Sequence, residues 1–254
     1  MRCLRLLFSA VLVLAAGATP VLAEQRIALV IGNADYKPGA PLATPRNDAD
    51  AVAAALRDVG FQSVRIEHDL NRDRFVRALR AFSTEADKAD WAVVYFAGYG
   101  IQVASDNHLI PIEAELRHER DVGLDGVLLR HVVTVVSHAK KLGLVLLDAS
   151  RDSRRIMPPC TKCVVPRGLA PIEPEVGTLV SFSAKGDTLA VDGEGNNSPY
   201  VTALLNHIRT PGLDLTLLFQ QVRDDVLTAT VRRQEPFVYG AVPKEPLFFV
   251  KAGR

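Results

Sequence analysis

Cysteine is scarce in this sequence, net charge is close to zero, and no long apolar run follows the first 16 residues. Three cysteines in 254 residues cannot build the disulfide framework of a small secreted fold. A formal charge of +1, with both signs spread along the chain, excludes a basic stripe of the kind that binds nucleic acid. Without a long apolar run, we expect no membrane-spanning helix in the mature chain.

The first 23 residues have the three parts of a secretory signal. Arg2 and Arg5 form a basic start, residues 6–16 form an apolar core, and small residues complete the segment. The core is too short to span a bilayer. We therefore expect a signal peptide over residues 1–23 and export of the mature chain to the periplasm or the medium. Residues 24–254 fit a single domain, because no Ser/Gly-rich linker divides them.

Strand-like and helix-like segments alternate through the mature chain, which is typical of βαβ units around a mostly parallel sheet. Apolar runs predict six strands, at residues 27–31, 62–67, 91–97, 144–147, 177–183 and 247–250. Periodicity and turn residues predict the remaining elements: helices capped by Asn47, Asn71 and Ser198, a hairpin around residues 105–107, and helices near residues 127–141 and 213–230. The predicted fold class is α/β.

Two of the predicted strands end in polar tips. The strand at residues 91–97 leads to Tyr99 between two glycines, and the strand at residues 144–147 leads to Asp148 and Ser150. The carboxyl ends of parallel strands meet at one edge of the sheet, and open α/β sheets bind ligands at that edge. Tyr99, Asp148 and Ser150 are therefore candidate site residues.

These tips resemble the catalytic tips of caspases and metacaspases. In that family a Gly-His-Gly provides the general base and an Asp-Ala-Cys-Arg provides the nucleophile, with the His about 50 residues before the Cys. Further similarities to bacterial caspase-like domains (peptidase C14, orthocaspase and metacaspase type) occur at residues 28–36, 47–48, 98–102, 107–111, 145–152, 177–179 and 197–200. The resemblance implies a caspase-hemoglobinase fold, in which a six-stranded, mainly parallel sheet lies between two helical layers.

Both catalytic positions of the family carry other residues in this sequence, because Tyr99 stands at the His position and Ser150 at the Cys position. The family chemistry needs a thiolate, which is nucleophilic near neutral pH, and a base whose pKa is close to the working pH. A tyrosine has an ordinary pKa of about 10, and a serine needs a strong base beside it. We therefore expect a pseudopeptidase with little or no peptidase activity.

An active enzyme is the alternative interpretation. Ser150 would then be the nucleophile of an endopeptidase that cuts after Arg or Lys, with His108, His131 or His138 as its base. Surface or packing roles are the favoured interpretation of these histidines, because no Ser–His pairing can be read from sequence. Ser150 also lacks the Gly-x-Ser-x-Gly pattern of hydrolase elbows.

Two acids stand at family positions that bind a basic side chain. The resemblance implies an S1 pocket for Arg or Lys, formed by the acid two places before the nucleophile, here Asp148, and by the acid of an Asn-Asp pair, here Asp48. Without the resemblance, a cap for the following turn explains Asp148 equally well. Two carboxylates would hold a guanidinium by charge-assisted hydrogen bonds. The expected partner is a peptide or protein with Arg or Lys side chains.

Cys160 and Cys163 form a C-x-x-C in the longest irregular stretch, residues 151–177. Such a pair can be redox-active, half of a zinc site, or a local disulfide. Zinc is disfavoured because no second Cys pair or suitably spaced His pair is present, and a thioredoxin-like role because no helical pattern follows. We favour a disulfide or two thiols, and expect no metal or cofactor. A redox-regulated interaction surface on this loop is the third functional hypothesis.

Overall fold

The structure is a computed structural model that describes residues 24–37, 39, 41–157, 168–186, 188–191, 193, 195–241 and 245–253. The predicted signal peptide and the pair Cys160 and Cys163 lie outside the described residues, so export, the disulfide and the redox surface stay predictions. Within the described ranges, no helix combines the length and the apolar character needed to cross a bilayer.

Strands and helices alternate along the described chain. In chain order they are β1 (Arg26–Gly32), α1 (Pro45–Asp58), β2 (Ser63–His68), α2 (Arg72–Ala86), β3 (Trp91–Ala97), β4 (Gly100–Val103), β5 (Asp106–Leu109), α3 (Glu119–Asp125), β6 (Val127–Leu128), α4 (Leu129–Ser137), β7 (Leu142–Asp148), β8 (Thr178–Phe182), α5 (Pro199–His207), α6 (Leu215–Ala229) and β9 (Phe237–Tyr239). A single 3₁₀ turn, Ser153–Arg155, follows β7.

A six-stranded sheet with the order β2-β1-β3-β7-β8-β9 forms the centre of the fold. The first five strands are parallel, and β9 pairs antiparallel to β8 at one edge. Strands β1, β3 and β7 are buried along their whole length, as expected of a parallel sheet that is covered on both faces. Strands β4, β5 and β6 form a separate antiparallel sheet. The predicted α/β class with a six-stranded, mainly parallel sheet is confirmed.

Helices cover both faces of the central sheet. In β1, Ala28 and Val30 pack in the core cluster that contains residues of α1, α5 and α6, whereas Leu29 and Ile31 pack in the cluster that contains residues of α2 and α4. This division follows from the strand repeat, since successive side chains point to opposite faces. The three-layer arrangement places the carboxyl ends of the parallel strands at one edge of the sheet.

The sixth strand is β9, and the prediction of a strand at residues 247–250 is wrong. In that segment the described strand pairing is an isolated bridge between Phe248 and Asp214. Phe249 instead packs against Trp91, with ring centroids 5.5 Å apart. The apolar run therefore reflects core packing and not strand pairing, and a short apolar pattern does not distinguish the two.

The predicted helix starts agree with the structure in two cases and differ in two. Asn71 and Ser198 cap α2 and α5 as predicted, because their side chains accept hydrogen bonds from main-chain N–H groups three residues later. Asn47 does not cap α1, which already begins at Pro45, a residue well suited to a first helical turn. The helix predicted near residues 127–141 is shorter, because its first two residues pair with β5 as strand β6.

Candidate functional site

The candidate site lies where β3 and β7 end. Gly98 N–H donates to the main-chain carbonyl of Asp148 at 3.3 Å, and Gly100 N–H donates to that of Ala149 at 2.8 Å. A Cβ at Gly100 would lie 2.9 Å from the Ala149 carbonyl oxygen, so a side chain there would separate the tips. The structure therefore brings the two polar tips side by side.

Tyr99 is fully buried in this site. Its ring packs edge-on against Tyr36, with centroids 4.8 Å apart, and both rings belong to an apolar cluster that includes Ile101 and Met157. The main-chain N–H of Tyr99 donates to the Tyr36 hydroxyl at 2.9 Å, and this hydroxyl donates to the Ile110 carbonyl at 2.9 Å. Burial raises the pKa of Tyr36, which stays neutral and able to donate. The ring that the resemblance aligns with the catalytic His is thus part of a packed aromatic pair.

Ser150 is 1% exposed, and its hydroxyl has no hydrogen-bond partner in the described part of the chain. None of the three histidines proposed as its base contacts that hydroxyl. His108 is buried, and burial lowers its pKa. His131 is exposed, and His138 pairs with a surface aspartate at 2.9 Å. The geometry therefore provides no histidine base for Ser150 among the described residues.

Asp48 and Asp148 come together on the sheet face covered by α1 and α5, and both are 0% exposed. Asp48 lies in the first turn of α1, and Asp148 is the last residue of β7. Burial, and then the charge of Asp148, raises the pKa of Asp48 to about 6. We call this pair the acid site. The two acids are close enough to influence each other's charge.

One oxygen of Asp48 holds the segment that leads into α5. Its Oδ1 accepts hydrogen bonds from Asn197 Nδ2 and from Ser198 N–H, each at 2.9 Å. Asn47 Nδ2 reinforces the contact by donating to the Asn196 carbonyl at 3.3 Å. Oδ2 of Asp48 has no hydrogen-bond partner in the described structure. Asp48 therefore both positions this segment and presents one oxygen to the acid site.

Arg151 is a site residue that the sequence analysis missed. Its side chain is only 2% exposed, and Nη2 lies 3.5 Å from Asp148 Oδ2. The same nitrogen donates to Thr44 Oγ1 at 3.4 Å, just before α1. Neither oxygen of Asp148 accepts a hydrogen bond from the described residues. The sequence did contain a signal for this pair. Arg151 follows Asp148 by three residues, directly after a strand whose apolar residues predict burial.

Two tyrosines lie on the same sheet face as the acid site. The Tyr95 hydroxyl is buried without a hydrogen-bond partner among the described residues, and Tyr200 donates to Ser181 Oγ at 2.7 Å. Burial raises the pKa of both phenols, and the neighbouring carboxylates raise it further. Both tyrosines therefore stay protonated, and neither neutralises the acids.

The acid site has more negative charge than its described contacts balance. Three buried carboxylate oxygens, Asp48 Oδ2 and both of Asp148, accept no hydrogen bond from described residues. A buried charge without close partners costs several kcal/mol, unless it takes up a proton or a cation. The site is therefore suited to a proton, or to an additional guanidinium or ammonium group.

An open cavity of about 760 Å³ lies beside Asn197, a residue that contacts Asp48. Gly193, Asn197, Thr202 and Arg233 are among the residues that line it. Asn197 connects the two features, because it lines the cavity and also donates to Asp48. A ligand in the cavity would thus lie next to a residue that holds Asp48.

We expect Asp48 to make the protein less stable as pH rises from about 4 to 7. The folded pKa of about 6 exceeds the ordinary value near 4, so the stability from proton uptake is complete below pH 4 and lost above pH 6. The loss amounts to about 3 kcal/mol. Urea unfolding of the wild type and of Asp48→Asn at several pH values measures this loss. Asparagine is the suitable replacement because its amide keeps the acceptor oxygen but cannot ionise.

In Asp48→Asn this loss should be absent, so its stability relative to the wild type should increase between pH 4 and pH 7. Glu24, whose pKa is lowered to about 2, contributes the opposite slope equally in both proteins. A stability difference that does not change with pH would contradict the raised pKa of Asp48.

Comparisons with known proteins agree with the fold. A family model described as the caspase domain of peptidase family C14 matches residues 25–247. The human mucosa-associated lymphoid tissue lymphoma translocation protein 1 and its mouse homolog are each 29% identical to the chain over 93 residues. That alignment covers 37% of this chain and 11% of each relative, so the chain corresponds to a small part of those proteins. Because the family match includes the whole central sheet, the chain belongs to the caspase-domain family, peptidase family C14.

Proposed function

We propose that this protein is a caspase-domain pseudopeptidase that binds a peptide or protein partner through an Arg or Lys side chain at the acid site. The observation that carries the proposal is the set of three buried carboxylate oxygens, on Asp48 and Asp148, without hydrogen bonds from described residues. A basic side chain provides the missing positive charge and up to five N–H donors in a fork that matches a carboxylate.

The surroundings of the catalytic positions support binding without cleavage. Tyr99 is packed against Tyr36, and the Ser150 hydroxyl has no histidine beside it in the described chain. A serine without a base stays protonated and is a weak nucleophile. The acid site does not depend on either residue, so its affinity for a basic side chain survives their replacement.

The adjoining cavity supports a peptide as the ligand. The basic side chain would enter the acid site while the peptide main chain lies along the cavity beside Asn197. Asn197 lines the cavity and also holds Asp48, so its position would respond to occupancy. Charged contacts of this type provide specificity for the basic residue more than they provide affinity.

We expect no hydrolysis of fluorogenic peptides with Arg or Lys at the cleavage position, either by the wild type or by Ser150→Ala. We expect the wild type to bind a fluorescent Arg peptide with a Kd of about 1 mM or tighter, and to bind the citrulline analogue at least 10-fold more weakly. Asp148→Asn should weaken Arg-peptide binding by about 10-fold or more, because it removes the charge. Fluorescence anisotropy measures these affinities.

Asp58→Asn is the matched control, because Asp58 is an exposed α1 residue that pairs with Arg209 at 2.8 Å, away from the acid site. This variant should bind like the wild type. Hydrolysis that disappears in Ser150→Ala would establish a serine peptidase and overturn the proposal. Equal affinity for the arginine and citrulline peptides would exclude the acid site as the place of binding.

A further inference from the structure

Arg151 reaches the acid site from within the chain. Its main-chain N–H donates to the Ala149 carbonyl at 2.8 Å, which closes a tight turn around Ser150. The turn directs the Arg151 side chain inward, where the guanidinium contacts Asp148 and Thr44. Arginine is rarely buried unless it is paired, and Asp148 is an acidic partner of this buried guanidinium.

The contact between Arg151 and Asp148 is loose for a buried ion pair. Its separation of 3.5 Å is longer than the 2.7–2.9 Å typical of charge-assisted hydrogen bonds. The exposed pair of Arg209 and Asp58 is tighter, at 2.8 Å. Arg151 therefore supplies charge to the acid site but leaves the oxygens of Asp148 without a hydrogen bond from described residues. A guanidinium placed closer to Asp148 would gain hydrogen bonds to its two oxygens.

We propose that Arg151 is an internal competitor at the acid site, whose guanidinium takes the place of an incoming Arg or Lys side chain until a ligand displaces it. The inference rests on the proposed function, since it concerns the regulation of the same site. A tethered competitor lowers the affinity for a ligand by the fraction of time that it occupies the site. Because Arg151 follows Ser150 directly, its displacement also moves the tip at the family's nucleophile position.

A permanent structural role for Arg151 makes different predictions. In that role the guanidinium only neutralises the two acids, and no external guanidinium could replace it. Removing it would then weaken folding without opening a site for a ligand. Two measurements separate these roles, one on free arginine derivatives and one on peptides.

The first measurement is thermal unfolding of the full chain with Arg151→Ala in the presence of N-acetylarginine amide. At a concentration ten times its Kd, the probe should raise the Tm of the variant by about 4 °C. The wild type should respond much less, and N-acetylcitrulline amide should have no effect. Equal responses of variant and wild type would overturn the proposal. If Arg151→Ala does not fold alone, its refolding yield with either probe gives the same comparison.

The second measurement is the affinity for the fluorescent Arg peptide. Arg151→Met, which keeps an apolar stem of similar length, should bind at least 10-fold more tightly than the wild type. Adding Asp148→Asn to this variant should remove the gain. Arg154→Met is the matched control, because Arg154 is exposed and pairs with Asp152 instead of the acid site.

The outcomes distinguish the two proposals. Equal peptide affinity in the wild type and Arg151→Met, with loss in Asp148→Asn, would keep the proposed function and overturn internal competition. Rescue of Arg151→Ala by the free arginine derivative, without peptide binding by any variant, would keep Arg151 as the occupant of the site and overturn the proposed function. No rescue and no peptide binding would overturn both.

Discussion

Replacing Asn33 by alanine should lower the free energy of unfolding by about 3 kcal/mol. Asn33 follows β1 and is fully buried. Its Oδ1 accepts from Leu70 N–H at 2.9 Å, and its Nδ2 donates to the carbonyls of Leu70 and Ile110, each at 3.3 Å. The alanine variant leaves the Leu70 N–H buried without this acceptor and weakens the link between three segments at the site. Urea unfolding followed by circular dichroism measures the loss.

Asn206→Ala is the control for the Asn33 variant, because Asn206 is exposed on α5. Alanine is favourable in a helix, so we expect a change of about 0.5 kcal/mol or less. The Ile110 carbonyl that Asn33 contacts also accepts from Tyr36, so the Asn33 variant should loosen the aromatic pair of Tyr36 and Tyr99 as well. A loss below about 1 kcal/mol would show that these groups find other partners.

Introducing a His and a Cys at the positions that the resemblance aligns with the catalytic pair, as Tyr99→His with Ser150→Cys, should raise cleavage after Arg or Lys to at least 100-fold above the wild-type background. A thiolate is nucleophilic near neutral pH, and a positioned general base contributes about 10²–10⁴-fold. The two tips are joined by main-chain hydrogen bonds, so both new side chains would start from adjacent positions. Hydrolysis of fluorogenic peptides, confirmed by product masses, measures the gain.

Each single variant, and Tyr99→Phe with Ser150→Cys, should remain inactive, because catalytic groups that act as a unit do not contribute additively. The smaller imidazole would leave part of the buried volume of Tyr99 empty, at a cost of about 2 kcal/mol. Assays should therefore be run well below the Tm. An inert double variant that still binds the Arg peptide would show that further parts of the catalytic machinery have been lost.

The sequence correctly predicted the strands whose apolar runs match their burial in the folded sheet. The runs that became β1, β3 and β7 are apolar along their length because they are buried on both faces. The sixth strand was misplaced because Phe249 is apolar for packing against Trp91, whereas the real edge strand, Phe237–Tyr239, is short and partly exposed. Edge strands carry a weaker pattern, since their position depends on pairing with a neighbour.

The site was only partly predictable for a related reason. Tyr99, Asp148 and Ser150 were identified from the polar strand tips and Asp48 from the resemblance, and the structure brings both tips and both acids together. Arg151 was not identified as a site residue, because the direction of a long side chain depends on the turn that carries it and on the charges it meets.

By itself, the sequence determined the α/β class and the two polar tips, because these depend on residue type and order along the chain. Only the tertiary structure decided that the acids are fully buried, that Asp48 holds the segment before α5, and that Arg151 turns inward to Asp148. Burial and charge pairing depend on distances between segments far apart in sequence, and those distances exist only once the sheet has formed.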